Sequence, residues 1–191
     1  VLMGDYITLA GTASAECRLE AQQLSSVLIL GGTASGCEDV TITHGNTLQY
    51  NDNGSGIRVI GDDVTIKNTV ITQCYSAGSG GGVAVQDASG TLDGVQIVHC
   101  AASGAGGLYV VDSQITLKNC SIRDNTSEQT TGGMFIYQNC SVTFDPEARS
   151  SIYNNHTHGD SWASNDLGSG NSGTIAVVVD TFTVMQPDGM T

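Results

Sequence analysis

The stretch Gly107-Leu108-Tyr109-Val110 is one copy of a block in which a glycine precedes two apolar residues in alternation. The other copies are Gly56-Ile57-Arg58-Val59, Gly82-Val83-Ala84-Val85 and Gly133-Met134-Phe135-Ile136, and the four glycines lie 26, 25 and 26 residues apart. Alternation with a period of two residues predicts short β-strands. A fixed repeat of about 25 residues is typical of stacked coils.

Each repeat contains two further alternating runs, such as Ile115-Thr116-Leu117 and Ser121-Ile122-Arg123. The sequence therefore predicts an all-β fold, a right-handed single-stranded parallel β-helix of about six to seven coils with three strands per coil. Because alternate side chains of a strand point to one face, we expect four inward rows of stacked apolar residues. They are Ile57, Val83, Leu108 and Met134; Val59, Val85, Val110 and Ile136; Ile66, Leu92, Leu117 and Phe144; and Ile71, Ile97, Ile122 and Ile152.

We expect the 191 residues to form one β-helix domain. Residues 1–30 are interpreted as entry coils or a cap, with Cys17 to Leu24 the only candidate helix, and residues 31–155 as regular coils. Residues 156–172 are interpreted as an inserted loop, and residues 173–191 as a terminal coil or strand.

The composition excludes several classes of function. A net charge of −13 argues against binding to nucleic acid or to an anionic membrane surface, since both would repel the chain. No stretch of 18 apolar residues occurs, so no membrane span is expected. We expect no cofactor; calcium is the alternative, although Asp62 and Asp63 are the only adjacent acidic pair.

The six cysteines show no zinc-type spacing. Cys74 and Cys100 occupy the same corner of successive repeats, about one strand spacing apart, which predicts a disulfide and an oxidising compartment. Cys17 and Cys37 follow the similar segments Gly11-Thr12-Ala13-Ser14 and Gly32-Thr33-Ala34-Ser35, so we expect them to stack and pair as well. The other two cysteines are left unassigned.

From about Val27 to Asn155 the repeats resemble those of polymorphic outer membrane proteins and of pectate-lyase-like right-handed β-helices. The resemblance rests on the Gly-Gly-apolar-x-apolar starts, as at Gly106-Gly107, and on the Ile-x-x-Asn ends at Ile122–Asn125 and Ile152–Asn155. It implies secretion, surface exposure, and adhesion or polysaccharide chemistry. The chain departs from these enzymes because it is short and lacks long substrate-binding loops.

Five Asn-x-Ser/Thr sequons predict N-linked glycans, at Asn53, Asn119, Asn125, Asn139 and Asn155. Asn125 and Asn155 fall on the corner position of Cys74 and Cys100. An inward asparagine ladder that bonds the corner backbone is therefore the alternative for these two.

Candidate chemistry is sparse. Asp87 and Asp112 follow the glycine-start strands of adjacent coils and could stack on an outer face. Because a stacked Asp pair is typical of a solvated turn, we favour a non-catalytic role and assign no catalytic or metal residue. For association between chains we expect interface residues in the polar insert and in the terminal apolar run: Trp162, Ile175, Val177, Val179 and Phe182.

The sequence thus predicts a secreted, glycosylated structural protein of the cell surface or extracellular matrix that self-associates end to end into a fibril. The alternatives are a polysaccharide-binding or polysaccharide-degrading protein of the pectate-lyase-like kind, or a fragment of a surface adhesin.

Overall fold

In the computed structural model the chain winds into a parallel β-helix; the structure describes residues 1–12, 17–22, 25–48, 52–158 and 165–170. The described residues contain 23 short strands and no helix, and every pairing between strands is parallel. The strands form four sheets, called here sheets 1 to 4 in the order in which a coil visits them. No helix in this part of the chain has the length and apolar character needed to cross a membrane.

The sheets run along the helix axis; successive coils add one strand each to sheets 1, 2 and 3, and sheet 4 begins at the third coil. Sheet 1 contains Leu2–Met3, Leu28–Leu30, Ile57–Val59, Val83–Gln86, Leu108–Val111, Met134–Tyr137 and Leu167–Gly170. Sheet 2 contains Thr8–Ala10, Gly36–Glu38, Val64–Lys67, Ser89–Asp93, Gln114–Lys118 and Ser141–Phe144. Sheet 3 contains Arg18–Glu20, Thr41–Thr43, Val70–Thr72, Gln96–Val98, Ser121–Arg123 and Ser151–Tyr153, and sheet 4 contains Tyr75–Ser76, Ala101–Ala102, Thr126–Ser127 and His156–Thr157.

All four predicted inward rows are confirmed by the pairing register. Leu108, for example, pairs with Val83 on one side and Met134 on the other, and Ile97 lies between Ile71 and Ile122. Nearly all these side chains are buried, and they form one continuous core along the axis. Aliphatic stacking of this kind leaves a packed interior, so the site of any function must lie on the outer faces.

Three expectations differ from the structure. Four successive coils, from the one that begins with Ile57–Val59, have a fourth strand in addition to the predicted three, two residues long, such as Ala101–Ala102. The candidate helix near Cys17 is instead the strand Arg18–Glu20, which pairs in register with Thr41–Thr43. The predicted insert contains two strands, because His156–Thr157 extends sheet 4 and Leu167–Gly170 extends sheet 1.

The outer face of sheet 2 has a column of charges that alternate in sign. Glu38 lies beside Lys67, Lys67 beside Asp93, and Asp93 beside Lys118. Lys118 Nζ then lies 3.3 Å from Asp145 Oδ2 in the next coil. Opposite charges on neighbouring strands favour the observed register by about 0.2–1 kcal/mol per pair.

The core holds one thiol within a strand. Cys37 occupies the inward row of sheet 2, between Leu9 and Ile66, with its sulfur 4.0 Å from Thr69 Oγ1. Burial raises the pKa of this thiol from 9.0 to about 12.

Stability should fall at alkaline pH because of Cys37. Above pH 9.0 the unfolded chain releases a thiol proton that the folded chain keeps up to about pH 12, so the unfolded state becomes favoured as the pH rises between these values. The loss is at most about 1.4 kcal/mol per pH unit. Urea midpoints of the wild type and Cys37→Ala, measured from about pH 8 to about pH 11, should show a steeper decline for the wild type. Parallel curves would contradict the assignment.

Candidate functional site

Three aromatic side chains lie on the outer face of sheet 1 and form what we call the aromatic patch: Tyr109, Phe135 and Tyr137. Tyr109 and Phe135 are paired residues of adjacent coils, with ring centroids 6.4 Å apart and planes 8° apart. Phe135 and Tyr137 are two residues apart in one strand, with centroids 6.3 Å apart and planes 19° apart. All three side chains are half-buried, so the patch offers nearly parallel rings to solvent.

The next coil leaves room for these rings. Phe135 and Tyr137 pair with Gly168 and Gly170, which have no side chains. A Cβ added to Gly170 would lie 3.0 Å from Phe135 Cζ and 3.2 Å from Tyr137 Cδ2. Both rings therefore lean over the backbone of Gly170, and the aromatic surface extends onto a third strand.

A cleft of about 410 Å³, which we call the corner cleft, begins where the strands of sheet 1 end. It is lined by Asp62, Asp87, Ala88, Ser89, Asp112, Ser113, Gln114 and Asn139. Asp87 directly follows the strand Val83–Gln86, and Asp112 directly follows Leu108–Val111. The prediction that these two aspartates lie together on an outer face is thus confirmed.

Backbone conformation explains part of this residue choice. Asp87 and Asp112 both have a φ of 47°, in the left-handed region that aspartate tolerates better than most residues. The turns hold the carboxylates of Asp62, Asp87 and Asp112 outside the core, and side-chain hydrogen bonds orient those of Asp112 and Asp62. Asn139 Nδ2 donates to Asp112 Oδ1 at 3.0 Å, and Ser89 Oγ donates to Asp62 Oδ1 at 3.1 Å.

The patch and the cleft are continuous. Asp112 is the residue after Val111, which pairs with Tyr137, and Asn139 lies two residues beyond Tyr137. Burial raises the pKa of the Tyr109 phenol, and the negative charges of Tyr137, Cys140 and Asp112 add to the shift. Tyr109 therefore stays neutral and able to donate a hydrogen bond well into the alkaline range.

Parallel rings beside carboxylate, amide and hydroxyl groups suit a ligand that combines apolar faces with many hydroxyls. Within the described ranges, no group of three or more His, Cys, Asp or Glu side chains is close enough to hold a metal ion.

The sequence model of a protein family described as the right-handed β-helix region matches residues 11–174 of the chain. The chain belongs to the right-handed β-helix family. Comparison with curated proteins and with solved structures gave no match. The family establishes the handedness of this β-helix and agrees with the resemblance of its repeats; it does not assign a role to the patch or the cleft.

At the corner between sheets 3 and 4, this β-helix carries an inward ladder of polar side chains. Asn125 Oδ1 accepts the N–H of Cys100 at 2.9 Å, and Asn125 Nδ2 donates to Ile97 O and to Asn155 Oδ1, both at 3.0 Å. Asn155 Nδ2 donates in turn to Ile122 O and to Asp166 Oδ1. Asn125 is fully buried and Asn155 is 5% exposed, so the ladder alternative is confirmed and a glycan at either residue would not fit the folded protein.

The other three sequons lie where a glycan could attach. Asn119 and Asn139 are exposed, and Asn53 is half-buried with its Oδ1 accepting the N–H of Ser79 at 2.6 Å. Because Asn139 lines the corner cleft, a glycan there would occupy the cleft.

The cysteines are free thiols in the structure. Cys74 and Cys100 stack as predicted, because the residues after them, Tyr75 and Ala101, are paired. A hydrogen bond from the Cys100 thiol lowers the pKa of Cys74, while burial raises the pKa of Cys100. The disulfide between them stays a prediction.

The expected stacking of Cys17 on Cys37 is wrong. Cys37 pairs with Leu9 in sheet 2, whereas Cys17 precedes Arg18 of sheet 3 and stands in register with the residue before Thr41. The two cysteines thus belong to different sheets, which removes the geometric reason for this pairing.

The expected interface residues Trp162, Ile175, Val177, Val179 and Phe182 lie outside the described residues. Sequence reasoning missed the aromatic patch altogether. The available signal was the middle, outward position of the repeated block, where Tyr109 and Phe135 take the place held by Arg58 and Ala84 in earlier coils.

Replacing Asn125 by alanine should destabilise the folded chain by roughly 2–4 kcal/mol, because the N–H of Cys100 and the carbonyl of Ile97 would be left buried without partners. Urea unfolding of Asn125→Ala measures the loss. The matched control is Asn139→Ala, which removes an exposed asparagine with one surface hydrogen bond and should cost less than about 1 kcal/mol. Equal losses in the two variants would refute the ladder's role.

Proposed function

We propose that the protein is an extracellular polysaccharide-binding β-helix whose aromatic patch and corner cleft together hold a glycan chain. The observation that carries this proposal is the continuity of three nearly parallel rings with a cleft of carboxylate, amide and hydroxyl groups. Sugar rings have an apolar face that packs on aromatic rings and hydroxyls that bond to polar groups at the ring's edge. This ranking reverses the order suggested by sequence, where binding to polysaccharide was the alternative.

The dimensions of the site favour a polymer over a single sugar. The cleft is lined from four successive coils, from Asp62 through Asp87 and Asp112 to Asn139, and adjacent coils lie about 4.8 Å apart. The lining therefore extends over about 14 Å along the helix axis. A ligand of several linked units would contact every level of it.

Secretion and modification form part of the same proposal. The sequons at Asn53, which is half-buried, and at Asn119, which is exposed, would carry glycans, and the Cys74–Cys100 pair would be oxidised in a secretory compartment. Asn139 would be unmodified in chains that bind ligand, because its side chain lines the cleft. Peptide mass mapping of protein from a secreting host, without reduction, tests all of these sites at once.

Truncation of the patch should weaken binding. Tyr109→Ala and Phe135→Ala should each weaken binding of neutral oligosaccharides by about tenfold or more, because aromatic anchors contribute a large part of such binding energies. The probes are hexasaccharides of glucose, xylose and N-acetylglucosamine, with calorimetry as the measurement. The matched control is Tyr153→Ala, which removes a 48% exposed tyrosine from the outer face of sheet 3. Absence of binding to every probe, or an equal effect of the control, would refute the proposal.

End-to-end assembly is the second candidate, and one observation favours it. The strands Leu2–Met3, Thr8–Ala10 and Arg18–Glu20 each lie at the edge of their sheet, and the inward residues Leu9 and Leu19 are only half-buried there. Unpaired strand edges over a partly exposed core accept further strands, which another copy could supply.

Electron microscopy and light scattering of this chain test the assembly. Fibrils that form equally well in Leu9→Lys and in Thr65→Lys, which places the charge on a strand with partners on both sides, would contradict the edge mechanism. Fibrils blocked at the edge by a change to Leu9→Lys, with the monomer still folded, would support it. A monomer at all concentrations would exclude it.

A further inference from the structure

We infer that the ligand of this site is a cationic glycan, a polymer with free amino groups, an inference that rests on the proposed function and names its substrate class. The observation behind it is the charge of the surface on which the rings lie. Three carboxylates line the corner cleft, at Asp62, Asp87 and Asp112, and the remaining lining residues are neutral.

Two cations on the outer faces of sheets 1 and 2 lie close to carboxylates outside the cleft. Arg58 shares the outward column of Tyr109, two coils away, but its Nη1 lies 3.7 Å from Asp52 Oδ1. Lys118 is on the outer face of sheet 2, where its Nζ pairs with Asp145. The site therefore keeps a negative potential, which the net charge of −13 for the chain reinforces.

The sign of this potential discriminates between classes of glycan. A polyuronate or sulfated chain on the aromatic patch would bring its anionic groups against the aspartates, and the repulsion would oppose the stacking. A neutral chain would gain the stacking and the hydrogen bonds alone. An amino-sugar chain would add an ion pair at each level where an ammonium group meets a carboxylate.

The repeat of the carboxylates also suits a polymer. Asp87 and Asp112 occupy equivalent positions in adjacent coils, and Asp62 lies in the coil before, so neighbouring levels differ by about 4.8 Å along the axis. Ammonium groups on successive units of one chain could meet successive carboxylates. Each contact would be modest, and several on one chain would act together.

The experiment compares oligosaccharides of different charge, two of which share one backbone. The probes are a hexamer of glucosamine, the corresponding hexamer of N-acetylglucosamine, and a hexamer of galacturonic acid, with calorimetry at about pH 5.5, where most amines of the glucosamine hexamer are protonated. The cationic hexamer should bind more tightly than the neutral one, and the anionic hexamer should bind most weakly. Added salt should narrow the gap between cationic and neutral hexamers.

Three variants assign the effect to the cleft. Asp87→Asn and Asp112→Asn each remove one charge, and asparagine tolerates the same left-handed backbone. Each should weaken binding of the cationic hexamer by roughly two- to fivefold and weaken binding of the neutral hexamer by a smaller factor, because the asparagine amide can still hydrogen-bond to a hydroxyl. The matched control is Asp39→Asn, which replaces an aspartate with a φ of 55° at a different corner. It removes one charge outside the cleft, so its effect on the affinity for either hexamer should not exceed the effect of one unit of net charge.

The outcomes separate this inference from the proposed function. Equal affinity for cationic and neutral hexamers, or tighter binding of the galacturonic acid hexamer, would overturn the cationic preference; the proposed function would still stand if Tyr109→Ala weakened binding of the hexamers. An equal loss of cationic binding in Asp39→Asn would show an effect of net charge and would overturn it as well. Failure of all three hexamers to bind would overturn the proposed function itself.

Discussion

The hydrogen-bonded register between successive coils is the constraint on which the rest of the structure depends. Side chains alternate along a strand, so a slip of one residue would exchange the inward and outward faces of a whole coil. The chain keeps the register by confining length changes to corners. Between Val110 and Ile136 the pairing offset is 26 residues, yet on sheet 2 Ile115 pairs with Val142, 27 residues on. The extra residue falls at the corner between these sheets, beside Asn139, and no strand is disturbed.

The register also brings outward charges of successive coils together, because each coil places a residue beside the equivalent residue of the next coil. On sheet 2 the chain meets this problem by alternation, with Lys67 between Glu38 and Asp93. The corner cleft does not follow that rule, since its aspartates lie in successive coils and only neutral groups, of Asn139 and Ser89, hydrogen-bond to two of them. A left-handed turn accounts for an aspartate or asparagine at positions 87 and 112, but it does not select the charged residue over the neutral one. The retained charge is therefore the feature of this corner that calls for a ligand.

The inward rows could be predicted from sequence because the repeated block displays its apolar positions directly. The fourth sheet could not, since strands such as Ala101–Ala102 are too short for alternation to be visible. The predicted stacking of Cys17 on Cys37 was wrong for a related reason: similarity between two short segments does not determine which sheet the cysteine after each segment lies in or beside. The aspartates of the cleft were found because they follow the repeated block, whereas Tyr109 and Phe135 were missed because attention to a core favours inward positions. The room for the aromatic patch depends on Gly168 and Gly170 of a later coil, and this contact can be seen only once the strand register is known.

A lateral site and an end contact make different demands on a β-helix. An end contact is made by whichever coil is terminal, so it changes if residues are added before or after that coil. The aromatic patch and the corner cleft instead use interior coils, from Asp62 to Asn139, together with the strand Leu167–Gly170. Pairing on both sides fixes Tyr109 and Phe135, and the core rows beneath them set their spacing. A rigid array of side chains that repeats with each coil matches a polymer that also repeats at a short interval. The strand pairing that builds the fold thereby sets the spacing at which a ligand is recognised.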